Sequence, residues 1–566
     1  QGRGFDKRIY GFWDGGQTFK VRLVATSPGD WSWESKAIPG NDNGLNGQSG
    51  SFGAIPWTDK EKQVNPNRRG FIRPTPNGHA LQYADGTPFF FIGDTWWAAS
   101  TWRYPLTGNA PQENWVPGPE GHSFENMTLY RKKQGYNSLA MIACFPNWAA
   151  DGQPPRVVDE QGIGIRQAWE KFGVGTAKDM HDEAGNIPFD LSPKAPLADF
   201  DKINPAYFRS LDEKMNYLDS IGFVPMLETV RRDHGPSWKA YFEWPDSFVR
   251  YIQYIVARYG AYNMIFSPIH LDWIIPTFCL PGEEFNEAII AWHDQYGPLP
   301  YGQPVTSLIN PATHIIYGTG EQAPWLTMHS VGNNPRNNGF FPMLEEQFMI
   351  KPAMPTANLE PYYPGWKSVA GGENIERNSD RDNYFARSQA WGSVLSGGLS
   401  GHIYGTGAYD GTSVGEAEGE RPLIWEALQY PAGEQTGYLR RFIESEGSAF
   451  QNLELASRNI HPRKSQYSKP HGGFDGWSFM MCTPKKDLAM LYFESKSAIP
   501  YLTGLLPDKQ YQLSWFNPIS GEWLYDSQIL ETDKDGTLQL IQFPNQENIS
   551  SQDWGLKLNL NIEHAQ

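Results

Sequence analysis

The chain has 566 residues, 39% of them hydrophobic, and carries a formal net charge of −16. A chain of this length holds roughly three or four domains, and its acidity argues against a nucleic-acid partner, which calls for a basic footprint. No apolar run reaches the ~18 residues of a membrane helix, and Cys144, Cys279 and Cys482 form neither a disulfide framework nor a metal-type spacing.

Residues 1–63 read as all-β. Tyr10-Gly-Phe-Trp-Asp-Gly-Gly places a turn after an aromatic strand, and Phe19 to Ala25 puts Val21, Leu23 and Ala25 on one face. A turn at Pro28-Gly29-Asp30 precedes a strand from Trp31, and Asn41 to Gly53 reads as a loop. The expectation is part of a β-sandwich. The first residue, Gln1, fits a cleaved export signal as well as a trimmed start.

From 64 to 445 the pattern becomes strand, loop, helix, repeated. Phe89-Phe-Phe-Ile-Gly reads as a buried strand ending in Asp94-Thr-Trp-Trp97, and Ser138 to Ala143 as the next, ending near Asn147-Trp148. A helix is predicted from Asn204, a capping residue followed by Pro205, to about Ser220. Strand three, Phe223 to Leu227, ends in Glu228. A helix from Ser247 to Tyr259 and strand four, Asn263 to Phe266, lead to His270 and Asp272. Strands five to eight are expected at Val305 to Ile309, Trp325 to Met328 before His329, Ala353 to Leu359 before Glu360 and Tyr362, and His402 to Tyr404, with a helix at Asn383 to Leu395. About eight parallel strands alternating with helices make a (β/α)8 TIM barrel of the α/β class. Two insertions, near 104–122 and 149–200, are expected to wall its mouth. Residues 446–566 lose the helical period and read as a second β-sandwich.

In such a barrel the strand ends carry the chemistry. Glu360 and Asp272 follow strands seven and four, the arrangement of two carboxyl groups facing each other across a glycosidic bond. If they stand about 5–5.5 Å apart, Glu360 attacks the sugar and Asp272 serves as acid and then base, its proton held by burial and by the charge of Glu360. Glu228 is the alternative acid/base. Asp94, Trp97, Asn147, Trp148, Tyr362 and Tyr404 are candidate sugar contacts at strand ends. His234, His270, His329 and His402 lie at strand ends too and suit neutral hydrogen bonding to hydroxyls better than a metal, since no HExxH-type spacing occurs. Arg231 and Arg232 suit the carboxylate or sulfate of an anionic sugar, or else a surface salt-bridge cluster. A high aromatic share, 14%, fits sugar stacking or plain β packing.

The order Gly-Phe-Trp-Asp-Gly-Gly, Phe-Ile-Gly-Asp94-Thr-Trp-Trp, Asn358-Leu-Glu360-Pro-Tyr-Tyr and Gly397-Gly-Leu-Ser-Gly-His-Ile-Tyr-Gly resembles the apiosidase-like bacterial glycoside hydrolases. The resemblance implies an N-terminal β-sandwich, a catalytic barrel and a small C-terminal β-sandwich. It implies Asp272 as acid/base and Glu360 as nucleophile; from the residues themselves no cofactor and no metal are expected. It also implies export by a bacterium that degrades plant or algal polysaccharide. A non-catalytic sugar-binding barrel and a polysaccharide lyase remain the alternatives from other classes.

Overall fold

The computed structural model describes residues 2, 4–38, 42–108, 123–145, 156–158, 164–166, 181–191, 198–272, 279–332, 340–365, 369–370, 373–411, 422–465, 475–525 and 527–561. Seven parallel strands form one curled sheet. In chain order they are strand one Phe91–Thr95, two Ser138–Cys144, three Met226–Val230, four Ile265–Ser267, six His329–Val331, seven Thr356–Asn358 and eight Gly401–Tyr404. Across the sheet they run four, three, two, one, eight, seven, six. Every residue of these strands is buried, which is why their sequences run apolar rather than alternating.

Strand five is displaced from this path. Leu308–Ile309 pairs in parallel with His270–Leu271, just beyond strand four. The chain before it still bridges the sheet's two edges. Phe266 N–H donates to Pro304 O at 2.9 Å and Thr306 N–H to Phe266 O at 2.9 Å. On the other side Thr327 and Met328 donate to Val305 O at 3.0 and 3.1 Å. The fold is therefore TIM-barrel-like, with strand ends two or three residues from several expected positions. Glu228 lies inside strand three, because that strand starts at Met226 rather than Phe223.

Helices cover the barrel. Helix Pro205–Ser220 is capped by Asn204, whose side chain accepts the Ala206 N–H at 3.1 Å, and Asp246–Tyr259 and Asp380–Val394 follow the predicted pattern.

The N-terminal stretch forms two separate antiparallel ribbons, Phe12–Trp13 with Phe19–Lys20 and Gly29–Glu34 with Ser49–Ala54. The predicted loop at 41–53 thus ends in a strand. Charge ties the first ribbon to the barrel. The guanidinium of Arg258, buried, donates to Asp212 Oδ2 at 2.7 Å and to Asp14 Oδ1 at 3.0 Å, while Arg22 donates to Asp212 Oδ2 at 2.5 Å.

At the C-terminal end a large antiparallel sheet and a three-stranded sheet, Ile460–His461, Tyr501–Leu502 and Leu538–Gln539, share a core. Two strands of the large sheet, Ser478–Cys482 and Leu488–Phe493, are buried on both faces. In Ser478–Cys482, Phe479 and Met481 join the barrel's core while Met480 and Cys482 face the smaller sheet. In Leu488–Phe493 the residues alternate in the same way. A bidentate ion pair crosses this junction. Arg387 Nε and Nη2 donate to Asp553 Oδ2 and Oδ1, each at 2.7 Å, and all of these groups are buried.

Candidate active site

The site grows out of strands three and four. Glu228 lies level with Ser267 of strand four and Ile142 of strand two. Beyond the strand ends, Arg231 forms a parallel bridge with His270. In extended chain, residues two apart share a face, so His270 and Asp272 point the same way. Five acidic or basic groups from two neighbouring chain segments, Glu228, Arg231 and Arg232 on one and His270 and Asp272 on the other, therefore meet in one buried place.

Their contacts are specific. His270 Nδ1 is hydrogen-bonded to Glu228 Oε2. Its Nε2 lies 3.3 Å from Asp272 Oδ1. Arg231 Nη2 donates to Asp272 Oδ2 at 2.5 Å, and Arg232 Nη1 donates to Asp272 Oδ1. The edge of the Trp97 ring system confines the imidazole, with centroids 4.6 Å apart and planes at 79°. Glu228 and His270 have no measurable exposure, and Asp272 is 5% exposed.

Glu360 follows strand seven, where Pro361 ends the ladder. It is buried. Tyr363 Oη lies 3.2 Å from Glu360 Oε1 and 3.3 Å from Thr95 Oγ1. Glu360 Oε2 is buried with no hydrogen-bond partner among the described residues. Gly405, just past strand eight, makes room for Tyr363. A Cβ there would stand 2.2 Å from Tyr363 Cε1, far inside van der Waals contact.

The electrostatics divide the carboxyl groups. Burial alone would raise Asp272, but the charges of Arg231, Arg232 and His270 outweigh it and hold the group well below the usual aspartate range. Burial raises Glu360, and the negative charge of Asp272 adds to it, carrying the group from 4.5 to about 7 despite His270 and Arg231. Burial also raises Glu228, against the pull of His270. Burial would lower His270, yet Glu228 and Asp272 lift it to about 9. The expectation that Asp272 would be the carboxyl held protonated is therefore corrected. Two arginines and an imidazolium keep it ionised, and the raised carboxyl of the pair is Glu360.

Several expected sugar contacts are used internally. Asp94 accepts from Thr95 N–H at 2.9 Å, Trp96 Nε1 at 3.0 Å and Arg131 Nε at 2.6 Å, so it is a buried anchor and not a sugar ligand. Tyr404 lies beneath the same guanidinium, 5.3 Å from its ring centroid. Tyr362 donates to Asp382 Oδ1 at 2.6 Å. The tyrosine that reaches Glu360 is its neighbour Tyr363, which the sequence could not separate from it. Arg231 and Arg232 both meet Asp272, so the salt-bridge reading of the pair holds, in a buried place rather than at the surface. His234 packs against Phe200, with centroids 5.7 Å apart. His329 Nδ1 lies 3.0 Å from Thr313 Oγ1, and burial pushes His329 down to about 4 and His402 to about 3, so both are neutral. Asn147 and Trp148 lie outside the described residues.

Comparison with known proteins follows the same line. A family model described as the apiosidase-like catalytic domain matches residues 75–449. A solved glycoside hydrolase is similar in fold, with a TM-score of 0.59 at 16% identity, covering 88% of this chain and 98% of that one. A putative glycoside hydrolase from Bacteroides vulgatus ATCC 8482 gives a TM-score of 0.60 at 16% identity, covering 98% of this chain and 92% of that one. A family 5 glycoside hydrolase from the same organism gives 0.58 at 16% identity, covering 88% and 94%. No curated protein matches the chain.

Proposed function

This chain belongs to the apiosidase-like family, and from that premise we propose that it is a glycoside hydrolase working through two carboxyl groups with retention of anomeric configuration. The observation that carries the proposal is the unequal pair at the ends of strands four and seven. Asp272 and Glu360 are both buried and act on each other electrostatically, yet of the two only Glu360 leaves a buried oxygen without a hydrogen-bond partner among the described residues. Glu360 is the nucleophile that attacks the anomeric carbon, and Asp272 stands on the leaving-group side. Tyr363 steadies the attacking carboxylate through Oε1 and leaves Oε2 to react.

The wider setting is proposed as well. The substrate is a plant or algal polysaccharide, or an oligosaccharide derived from it, and the enzyme acts outside the cytoplasm. The ribbons of residues 1–63 are part of a β-sandwich, and residues 446–566 are a second β-sandwich on the other side of the barrel. For the C-terminal part, two sheets over one core support this.

Proton NMR of the first product tests the mechanism. Retention of the anomeric configuration is expected from a direct attack by Glu360. An inverted product would make Glu360 a general base acting on water.

A further inference from the structure

Acid catalysis on the strand-four side needs a proton close to the glycosidic oxygen. Asp272 is held by two guanidinium groups, so the nearest proton in the structure lies elsewhere. His270 sits between Glu228 and Asp272, with one ring nitrogen on each, and the Trp97 ring stands edge-on against it. Glu228 accepts from Nδ1 and so directs the Nε2–H at Asp272. A ring hydrogen-bonded to one carboxylate through Nδ1, with Nε2 3.3 Å from a second but not yet hydrogen-bonded to it, is an oriented proton carrier that a small shift brings into line, as in other carboxylate–histidine pairs.

We propose that His270 is a positioning residue that supplies the proton Asp272 delivers to the leaving oxygen, with Glu228 fixing its orientation. The proposal rests on the two-carboxylate mechanism above. In the first step Glu360 gives an electron pair to the anomeric carbon as the bond to the leaving oxygen breaks. Asp272, ionised at rest, takes the Nε2 proton of His270, which becomes neutral, and passes that proton to the leaving oxygen. In the second step water attacks the glycosyl-enzyme. Its proton passes to Asp272 and on to His270 Nε2, and Glu360 leaves as a carboxylate. No proton or charge is left over.

The groups facing His270 are Glu228 from strand three, Asp272 on its own segment, and Arg231 and Arg232 across the bridge, with Glu360 beyond Asp272. On the far side, Leu308 and Ile309 pair with its strand and carry no charge. The two near carboxylates outweigh burial, so the ring keeps its proton to about pH 9. A neutral ring in this place would have no Nε2 proton to give Asp272.

The experiment has two arms. Nitrogen NMR of protein labelled at histidine, with His270 assigned by its absence in His270→Gln, reads the ring directly. The wild type is expected to show an imidazolium up to about pH 9, and Glu228→Gln to lower that midpoint by at least one pH unit. A ring already neutral at pH 7 would overturn the proposal. The second arm compares a glycan cleaved by the wild type with a dinitrophenyl glycoside of the same sugar, whose leaving group needs no proton. His270→Gln is expected to slow the glycan by about 10²–10⁴-fold, the usual contribution of acid catalysis. It should slow the dinitrophenyl glycoside less than about tenfold and remove the alkaline limb of the pH profile. Equal losses on both substrates would mean a purely structural histidine. A wild type inactive on every glycan, with an imidazolium in the NMR arm, would count against the hydrolase proposal and not against the state of the ring.

Discussion

Glu360→Gln should kill the enzyme and stabilise it. In the folded protein Glu360 binds its proton more tightly than an ordinary glutamate, with a midpoint near 7 instead of 4.5. Its favourable contribution to folding is therefore complete below pH 4.5 and is lost as pH rises through about 7. The total is about 3 kcal/mol, at about 1.4 kcal/mol for each tenfold change in proton affinity. Glutamine has the same shape, keeps an oxygen for Tyr363 and never ionises. The stability of the variant minus that of the wild type should thus grow by about 3 kcal/mol between pH 4 and pH 8. Urea unfolding followed by tryptophan fluorescence at the two pH values measures it, while hydrolysis falls by several orders of magnitude. A difference that stays flat with pH would refute the burial and charge assigned to Glu360. Near-normal hydrolysis would refute its role.

Asp94→Asn should leave the buried guanidinium of Arg131 facing an amide, at a cost of about 3–5 kcal/mol in stability. The KM of the folded variant should not change; a selective rise in KM would restore Asp94 as a sugar ligand. Gly405→Ala should push the Tyr363 ring off Glu360, because the new methyl carbon would meet it at 2.2 Å. The expected result is a fall in kcat and a shifted acid limb of the pH profile, and an unchanged profile would sink the role of Tyr363. Chelator treatment should leave hydrolysis intact, since the proposed steps use carboxyl groups and an imidazole. Loss of activity restored by one added metal would contradict that.

The sequence alone determined the barrel-like alternation of strands and helices, because burial imprints itself on local pattern. Strands buried on both faces must run apolar, and helices must show one apolar stripe with capping residues such as Asn204. The same logic placed Glu360, since a proline directly after an apolar run ends a strand and leaves the acid at its tip. The sequence could not say which acids remain available for chemistry. Asp94 and Glu360 look alike as strand-end carboxyls. Arg131, 37 residues further along the chain, consumes Asp94, whereas no guanidinium meets Glu360 among its described contacts. Nor could it choose between Tyr362 and Tyr363, because past Pro361 the chain leaves the strand period and Gly405 from strand eight decides which ring fits. The charge of Asp272 was decided at the greatest remove. Arg231, 41 residues earlier in the chain, reaches it only because strands three and four are neighbours in the barrel. Proton affinity depends on distances between charges, and tertiary structure alone sets those distances.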